Sequence, residues 1–245
     1  MASTITMRPD ACEPFMPNDL PHSDDLPAHT DLPDSAAIYN PLVLRLYDLW
    51  VTRFSNRFAW RCPAARQIAH YRAHLADRHL DVGVGTGFYL QWAGEFGARQ
   101  VALLDPNPDC LATARARLGQ VPATVYRQDA LDPLVVPEPP FGSIGLSYLL
   151  HCLPGPMARK AAIFDNLRPL LAPGGTLFGS TILGDGAGHN PLGRKLMAVY
   201  NAKGIFGNAE DTLQALDREL SHRFATVRIE QVGVVALFSA AGPKA

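Results

Sequence analysis

The chain has 245 residues with 22 basic and 23 acidic side chains, so its formal net charge is −1. It contains no apolar run of the roughly 18 residues that a membrane-spanning helix requires. Lysine and arginine never form a run longer than two, which disfavours a dedicated nucleic-acid surface. The four cysteines form no Cys-x-x-Cys pair, so neither a metal site nor a disulfide framework is predicted.

The first 34 residues differ in composition from the rest of the chain. They contain six prolines and seven acidic residues against a single basic residue, Arg8, whereas the remaining 211 residues carry a net charge of +5. Such a segment has too few large apolar side chains to offset the entropy of ordering it. We therefore expect residues 1–34 to form a flexible arm and residues 35–245 to form one domain.

Two helical stretches are predicted before the main sheet. Asn40 followed by Pro41 is typical of a helix start, and apolar residues then recur at helical spacing as far as Phe54. A second helix is predicted over residues 63–75. Because both helices precede the first strand, residues 35–76 are expected to form a helical cap that covers the ligand.

From His79 onward, short apolar runs alternate with helical patterns, which is typical of β-α-β units and a parallel sheet. Strands are predicted at "HLDVG", "QVALLD", "TVYRQD", residues 141–150 and "TLFGSTIL". Helices are predicted at "GFYLQWAGEF", "NPDCLATARARL" and residues 157–171, the last of them ended by "PGG". This core is expected to span residues 77–182.

The end of the chain follows a different pattern. Residues 183–208 are helical or loop-like and are expected to form a lid over the substrate. Residues 209–245 contain a terminal helix, "EDTLQALDREL", and then two strands, "TVRIEQVG" and "VVALFSAA". Because so few residues separate these two strands, they can pair only in an antiparallel manner.

The segment "HLDVGVGTGFYL" contains three glycines after the first predicted strand: Gly83, Gly85 and Gly87. The absence of Cβ atoms in such a turn lets the backbone approach a ligand closely. The dinucleotide pattern G-x-G-x-x-G would need a glycine at Phe88, and Asp81 would repel a pyrophosphate but suit a cation. A nicotinamide-dependent dehydrogenase is therefore disfavoured.

The segment "DVGVGTG" resembles motif I of the class I S-adenosylmethionine-dependent methyltransferases, and further motifs similar to that family follow in order through residue 182. By this resemblance, Asp105 accepts both ribose hydroxyls and Asp129 accepts the adenine amino group. The stretch "FGSIGLSYLLHCLPG" resembles the fourth-strand motif, although Gly142 replaces its acid and Cys152 its second histidine. The resemblance implies S-adenosylmethionine as the cofactor, bound by Asp81, Gly83, Gly85, Gly87, Asp105, Asn107, Asp129, Ala130 and Ser147.

The same resemblance implies the fold. It is expected to be a Rossmann-like, doubly wound α/β sheet of about seven strands, mostly parallel with a reversed last strand. The N-terminal helical cap would be an addition to that sheet.

The methyl acceptor is expected above the carboxyl ends of the first, fourth and fifth strands, where open α/β sheets bind their ligands. His151 lies just past the fourth strand and is the candidate general base, because the ordinary pKa of histidine is near neutrality; lining the pocket is its alternative role. The candidate substrate-binding residues, for which core packing or exposure in a loop is the alternative, are Tyr39, Tyr47, Tyr148, His189 and Tyr200.

The sequence thus predicts an S-adenosylmethionine-dependent methyltransferase acting on a small molecule, for example a specialised metabolite. The N-P-P-Y-type motif of amino-group methylation is absent at residues 147–150, which disfavours nucleic-acid bases and protein glutamine as substrates. Oxygen, nitrogen, carbon and sulfur acceptors all remain open, and a non-catalytic cofactor-binding or regulatory protein is the alternative. An aminopropyl transferase is disfavoured because residues 143–154 contain no acid. A cytoplasmic monomer or homodimer is expected, with no nucleic-acid or membrane partner.

Overall fold

The computed structural model describes residues 55–137 and 140–244, which build a seven-stranded sheet. The order of the strands across the sheet is β3-β2-β1-β4-β5-β7-β6. The strands are β1 (Arg78–Val82), β2 (Gln100–Leu104), β3 (Ala123–Tyr126), β4 (Phe141–Ser147), β5 (Leu171–Ile182), β6 (Phe224–Val232) and β7 (Val235–Pro243).

Five adjacent strands, from β3 to β5, run parallel to one another, whereas β7 is antiparallel to both of its neighbours, β5 and β6. In the register of β5 with β7, Thr176 is opposite Ala241 and Ile182 is opposite Val235. This confirms the predicted mixed sheet and the antiparallel pair at the end of the chain. The strand order reverses between β1 and β4, and such a reversal opens a ligand crevice at the carboxyl ends of the strands.

One of the helices below precedes β1, and the others lie between strands. The side chains of Asn107, Asn190 and Thr212 each accept a hydrogen bond from a backbone N–H of the first turn that they precede, which stabilises those helix starts. The helices are α1 (Ala64–His74), α2 (Pro108–Arg117), α3 (Met157–Lys160), α4 (Ala162–Leu167), α5 (Pro191–Ala202) and α6 (Leu213–Arg223).

The central strands are buried on both faces, as expected for a parallel sheet covered by helices. A separate apolar cluster lies at the carboxyl end of β5. There Ile182 packs with Trp60, with Met197 of α5 and with Phe206 from the segment after α5. This cluster fixes α5 and its following loop beside the crevice.

The helix predicted at "GFYLQWAGEF" is wrong in its extent. Only a 3-10 turn over Tyr89–Trp92 follows the glycine turn. Gly94 weakens the helical tendency of this stretch, and Gly97, the residue directly after the stretch, has a φ of +104°, which no helix accommodates.

The helix predicted over residues 157–171 is also divided in the structure. It forms α3, α4 and then a 3-10 turn over Arg168–Leu170, in which Pro169 has no backbone N–H to donate. β5 already begins at Leu171, which pairs with Phe141, and the register shifts before the next pair. The strand is therefore longer at its start than the pattern "TLFGSTIL" indicates.

Several predictions concern residues outside the described part of the chain. They are the arm over residues 1–34, the first cap helix, Tyr39 and Tyr47. The second cap helix corresponds to α1, which is one residue shorter at each end than predicted. Among the described helices, none has the length and apolarity required to cross a membrane.

Candidate active site

The turn after β1 has three glycines with positive φ: +66° at Gly83, +51° at Gly85 and +69° at Gly87. A Cβ atom on Gly83 would lie 2.5 Å from Leu149 Cδ1, and one on Gly87 would lie 2.6 Å from Cα of Ala114. These two glycines therefore permit close packing within the fold. A Cβ atom on Gly85 would meet none of the described atoms within 4 Å, so the space above this residue is open to a ligand.

Asp105 follows β2 directly, and its carboxylate lies against the glycine turn. Oδ1 accepts a hydrogen bond of 2.8 Å from the backbone N–H of Asn107, and Oδ2 accepts one of 3.5 Å from Gly85. Burial raises the pKa of Asp105 to about 6, although the backbone N–H donors oppose this shift. A carboxylate in such a place is stabilised by further donors, and the two hydroxyls of a ribose would supply them.

The other predicted cofactor-binding residues lie after the neighbouring strands. Asn107 is buried and caps α2 by accepting a hydrogen bond from the backbone of Asp109 at 2.8 Å. Asp129 is half-buried in the loop after β3, next to the buried Ala130, and Ser147 ends β4 opposite Ser180. The sheet thus places all of these residues near the carboxyl ends of parallel strands.

Asp81 on β1 is buried beside two residues that the sequence patterns did not indicate. Its Oδ2 accepts a hydrogen bond of 2.8 Å from the hydroxyl of Tyr71 and lies 3.4 Å from Nε2 of His79. His79 Nε2 is 3.0 Å from the Tyr71 hydroxyl oxygen, and His79 Nδ1 is 2.8 Å from Ser143 Oγ. No hydrogen bond to Asp81 Oδ1 is found in the described part of the chain, so this oxygen remains an acceptor for a ligand.

Tyr148 follows β4 with a φ of +57°, a strained conformation for a tyrosine. Its hydroxyl donates to Asn56 Oδ1 at 2.8 Å and accepts from Gln67 Nε2 at 2.7 Å. Gln67 Oε1 in turn accepts from the Tyr89 hydroxyl at 2.5 Å. Gln67 of α1 therefore connects the end of β4 to the turn that follows the glycines.

Gln67 and Tyr71 are the two buried residues of α1 and lie four positions apart, hence on one face of the helix. A polar pair on the buried face of a helix was the available signal in the sequence. It is a weak signal, because it does not indicate which polar groups on the sheet these two side chains contact.

His151 lies in a 3-10 turn over Leu150–Cys152 and is 1% exposed. Its Nδ1 accepts a hydrogen bond of 3.4 Å from the backbone N–H of Ile182, with Thr181 Oγ1 at 3.5 Å. In the neutral ring the proton is therefore on Nε2. Burial and then the nearby charge of Lys160 lower the pKa of His151 to about 3, so the ring is uncharged at neutral pH. Among the described residues, Nε2 has no hydrogen-bond partner.

Aromatic rings surround His151. Phe206 meets the imidazole edge-to-face at 4.6 Å between ring centroids, and Tyr148 does so at 5.3 Å. Phe206 also contacts the ring of Tyr200 at 4.9 Å. The structure thus brings three predicted site residues, Tyr148, His151 and Tyr200, into one aromatic cluster.

The segment that carries Phe206 is held by a buried ion pair. Lys160 Nζ lies 2.5 Å from Asp211 Oδ2, and both side chains are at most 1% exposed. The same Nζ donates to the carbonyl of Gly207 at 2.9 Å, and the N–H of Gly207 donates to the carbonyl of His151 at 2.9 Å. The ion pair therefore fixes the position of Phe206 against His151.

His189 is buried, so its assignment to an exposed loop, the alternative considered from the sequence, is wrong. Its Nε2 donates to the carbonyls of Leu183 and Gly184 at 3.0 and 3.1 Å, and its ring meets Trp60 edge-to-face at 5.9 Å. These contacts hold the loop after β5 in place. Substrate binding by His189 stays a prediction.

Comparisons with known proteins agree with this arrangement. Residues 80–177 match the family model of a methyltransferase domain. The chain is 36% identical over 221 residues to the physcion biosynthesis cluster O-methyltransferase of Aspergillus chevalieri, a match that covers 89% of this chain and 100% of that protein. It is 42% identical over 193 residues to YbcY of Escherichia coli (strain K12), covering 78% and 98%. Among solved structures, the DhpI-SAH complex matches with a TM-score of 0.62 at 16% identity, covering 86% of this chain and 97% of that one.

Proposed function

Because this chain belongs to the class I S-adenosylmethionine-dependent methyltransferases that act on small molecules, we propose that it methylates an acidic hydroxyl oxygen. The observation that carries this proposal is the hydrogen bonding of His151, which makes the ring an N–H donor rather than a base. The name of the Aspergillus chevalieri relative, an O-methyltransferase, supports oxygen as the acceptor atom.

The residues at the strand ends fit S-adenosylmethionine as the cofactor. The open space above Gly85 admits the cofactor to the backbone, and Asp105 would accept both ribose hydroxyls. Asp129 would accept the adenine amino group, beside Ala130. Asp81 Oδ1 would accept the ammonium of the methionine part. Once bound, the cofactor supplies a methyl group on a positively charged sulfur.

His151 is proposed to donate its Nε2–H to the acceptor oxygen. A ring with a pKa of about 3 would be a poor acceptor for a proton from a hydroxyl, and its remaining lone pair, on Nδ1, is engaged by the N–H of Ile182. As a donor, however, it stabilises an ionised oxygen in a place with little water. This role replaces the general base expected from the sequence.

The acceptor would lose its hydroxyl proton to solvent before it enters the site. Bound S-adenosylmethionine would supply the methyl group to the ionised oxygen, with the carbon–sulfur bond breaking and its electron pair remaining on sulfur, while His151 would hold that oxygen. The chain contributes position and exclusion of water, which account for most of the rate in such a displacement. An acceptor whose hydroxyl is acidic, such as a phenol or an enol, suits a site that has no base.

The walls around His151 also favour a flat, apolar acceptor. Phe206, Tyr148 and Tyr200 present ring edges and faces within one cluster, and aromatic rings bind planar ligands by stacking and edge contacts. Residues of the predicted lid, 183–208, supply two of the rings that form this wall.

The dependence of rate on acceptor acidity tests the proposal. Phenols of similar shape and decreasing pKa should be methylated at rates that follow the ionised fraction of each phenol. The midpoint of each pH–rate profile should then shift with the pKa of the acceptor. One midpoint common to all acceptors would instead indicate a titrating group of the protein, and binding of S-adenosylmethionine without methylation of any acceptor would favour the non-catalytic alternative.

Two variants of His151 separate a donor from a base. His151→Gln keeps an N–H near the position of Nε2 but has no basic group, and it should retain kcat within about tenfold. His151→Ala removes the donor and should lower kcat about a hundredfold. Equal losses in both variants would contradict the donor role, and unchanged affinity for S-adenosylhomocysteine controls for damage to the cofactor site.

The proposal includes a cytoplasmic enzyme that acts as a monomer or homodimer without a nucleic-acid partner. The absence of long basic runs supports the part of the proposal that concerns nucleic acid. Sedimentation of the purified protein, with and without added RNA or DNA, tests the oligomeric state and the nucleic-acid part; a higher assembly or co-sedimentation would contradict it.

A further inference from the structure

We propose that Tyr71 and His79 are positioning residues for the cofactor: they hold the carboxylate of Asp81 so that its Oδ1 receives the ammonium group of S-adenosylmethionine. The inference rests on the cofactor and on the ammonium contact assigned to Asp81. It does not depend on the nature of the methyl acceptor.

The hydrogen bonds around Asp81 form a chain with one direction. The backbone N–H of Ala76 donates to Ser143 Oγ at 2.9 Å, so the Ser143 hydroxyl can donate to His79 Nδ1 at 2.8 Å. His79 then carries its proton on Nε2 and donates to the Tyr71 hydroxyl oxygen at 3.0 Å. The Tyr71 hydroxyl donates in turn to Asp81 Oδ2 at 2.8 Å.

The order of donors follows from the Asp81 carboxylate, which can only accept. Tyr71 donates to Asp81 Oδ2, so its oxygen accepts from His79 Nε2–H, and His79 Nδ1 is left to accept from the Ser143 hydroxyl. Burial and the adjacent charge of Asp81 raise the pKa of Tyr71 well above its ordinary value, so Tyr71 keeps its proton and remains a donor. Hydrogen bonds in such a series polarise one another, which strengthens the last bond to the carboxylate.

The four side chains of this hydrogen-bonded series are buried and tightly packed. Ser143 and His79 are fully buried, Tyr71 is 1% exposed and Asp81 is 6% exposed. The rings of His79 and Tyr71 also pack on Phe178, with centroids 5.8 and 5.4 Å away. A carboxylate in such a setting has little water to fix its orientation, and so its orientation follows from these donors.

The two oxygens of Asp81 are therefore unequal. Oδ2 is held by Tyr71 and His79, while Oδ1 has no hydrogen bond from any described residue. A carboxylate with one oxygen anchored loses less entropy when the other oxygen binds a cation. Tyr71 also stacks on Tyr89 at 5.3 Å, which keeps its ring beside the glycine turn.

Binding of two ligands by calorimetry tests this inference. The first ligand is S-adenosylhomocysteine, and the second is its analogue that lacks the α-amino group. Tyr71→Phe removes only the hydroxyl that holds Oδ2, so the Kd of S-adenosylhomocysteine should rise about tenfold. The Kd of the analogue should change by less than about twofold, because it has no ammonium for Asp81 to receive.

A second variant covers the case in which Tyr71→Phe does not fold. Ser143→Ala removes the first side chain of the hydrogen-bonded series. It should weaken the binding of S-adenosylhomocysteine alone, by about threefold. If the variants bind both ligands equally more weakly, or bind both as tightly as the wild-type protein does, the inference is overturned. A wild-type protein that binds neither ligand would instead contradict the cofactor assignment, and so the two failures are distinguishable.

Discussion

Asp105 is a buried carboxylate, and its burial lowers the stability of the folded protein without ligand. Its carboxylate is 7% exposed, and burial raises its pKa from 3.8 to about 6. Two backbone N–H groups already contact it, but they do not replace the water lost on burial. We infer that the hydroxyl groups of the cofactor complete its hydrogen bonding.

The substitution Asp105→Asn should therefore stabilise the protein without ligand while removing its affinity for the cofactor. Asparagine keeps an acceptor for the Asn107 N–H and carries no charge to desolvate. At neutral pH the free energy of unfolding should rise by up to about 3 kcal/mol, the equivalent of the pKa shift. Calorimetry should show loss of S-adenosylhomocysteine binding. A variant that is both less stable and fully able to bind would contradict this assignment.

The sign of the pH dependence follows from the raised pKa. Below about pH 4 the carboxyl is protonated in both the folded and the unfolded chain, so Asp105 has no cost there. As the pH rises through about 6, the folded state loses a proton that it holds more tightly, and its stability falls. The advantage of Asp105→Asn in urea unfolding should thus be present at pH 8 and vanish near pH 4.

At the scale of elements, the glycine turn combines packing and ligand access. Gly83 and Gly87 are required by Leu149 and Ala114, which would collide with a Cβ atom, whereas the space above Gly85 is open. The three glycines of the turn therefore have two different roles. Gly83 and Gly87 permit close packing, and Gly85 leaves an open space in which we propose that the cofactor lies.

A pair of alanine substitutions tests this division, because Gly119 offers a matched control. Gly85 and Gly119 have similar positive φ values, +51° and +59°, and a Cβ atom added to either would have no described atom within 4 Å. Each substitution should cost about 1 kcal/mol of stability through left-handed strain. Only Gly85→Ala should also weaken S-adenosylhomocysteine binding; equal affinities in the two variants would show that no ligand approaches Gly85.

The sequence predicts some elements better than others for identifiable reasons. The sequence predicts β2 because "VALL" is a continuous apolar run, and it predicts β1 and β4 from shorter apolar stretches; all three strands are largely buried. The stretch "GFYLQWAGEF" has apolar residues at helical spacing, but with Gly94 inside it and Gly97 directly after it the stretch folds as a 3-10 turn followed by turns. Local glycine chemistry therefore prevailed over periodicity in that stretch.

Some residues of the candidate site can likewise be predicted from the sequence, and others cannot. Asp105 and the glycines follow strands directly and Asp81 lies near the end of β1, so their place at the sheet edge can be predicted from chain order. Gln67 is 81 residues from Tyr148, and although Tyr71 is only ten residues from Asp81, both contacts depend on the packing of α1 on the sheet. The proton position on His151 depends on the N–H of Ile182, 31 residues away, which no local pattern indicates.

For the molecule as a whole, the strand order decides what the chemistry can be. The reversal between β1 and β4 puts Asp81, Asp105 and His151 around one crevice, with α5 and Phe206 on its far side. The proposed cofactor-binding residues come from β1 to β3, apart from Ser147 at the end of β4, and the candidate acceptor residues follow β4 and β5. The sheet thus separates cofactor binding from acceptor choice, so relatives can share the first and differ in the second.

The most direct test of this account is the identity of the atom that receives the methyl group. The protein should be mixed with S-adenosylmethionine carrying carbon-13 in its methyl group and with a phenol that also bears an amino group, and the product examined by carbon NMR. The account predicts a methoxy signal and release of S-adenosylhomocysteine in equal amount. A methyl signal on nitrogen or on carbon would contradict it.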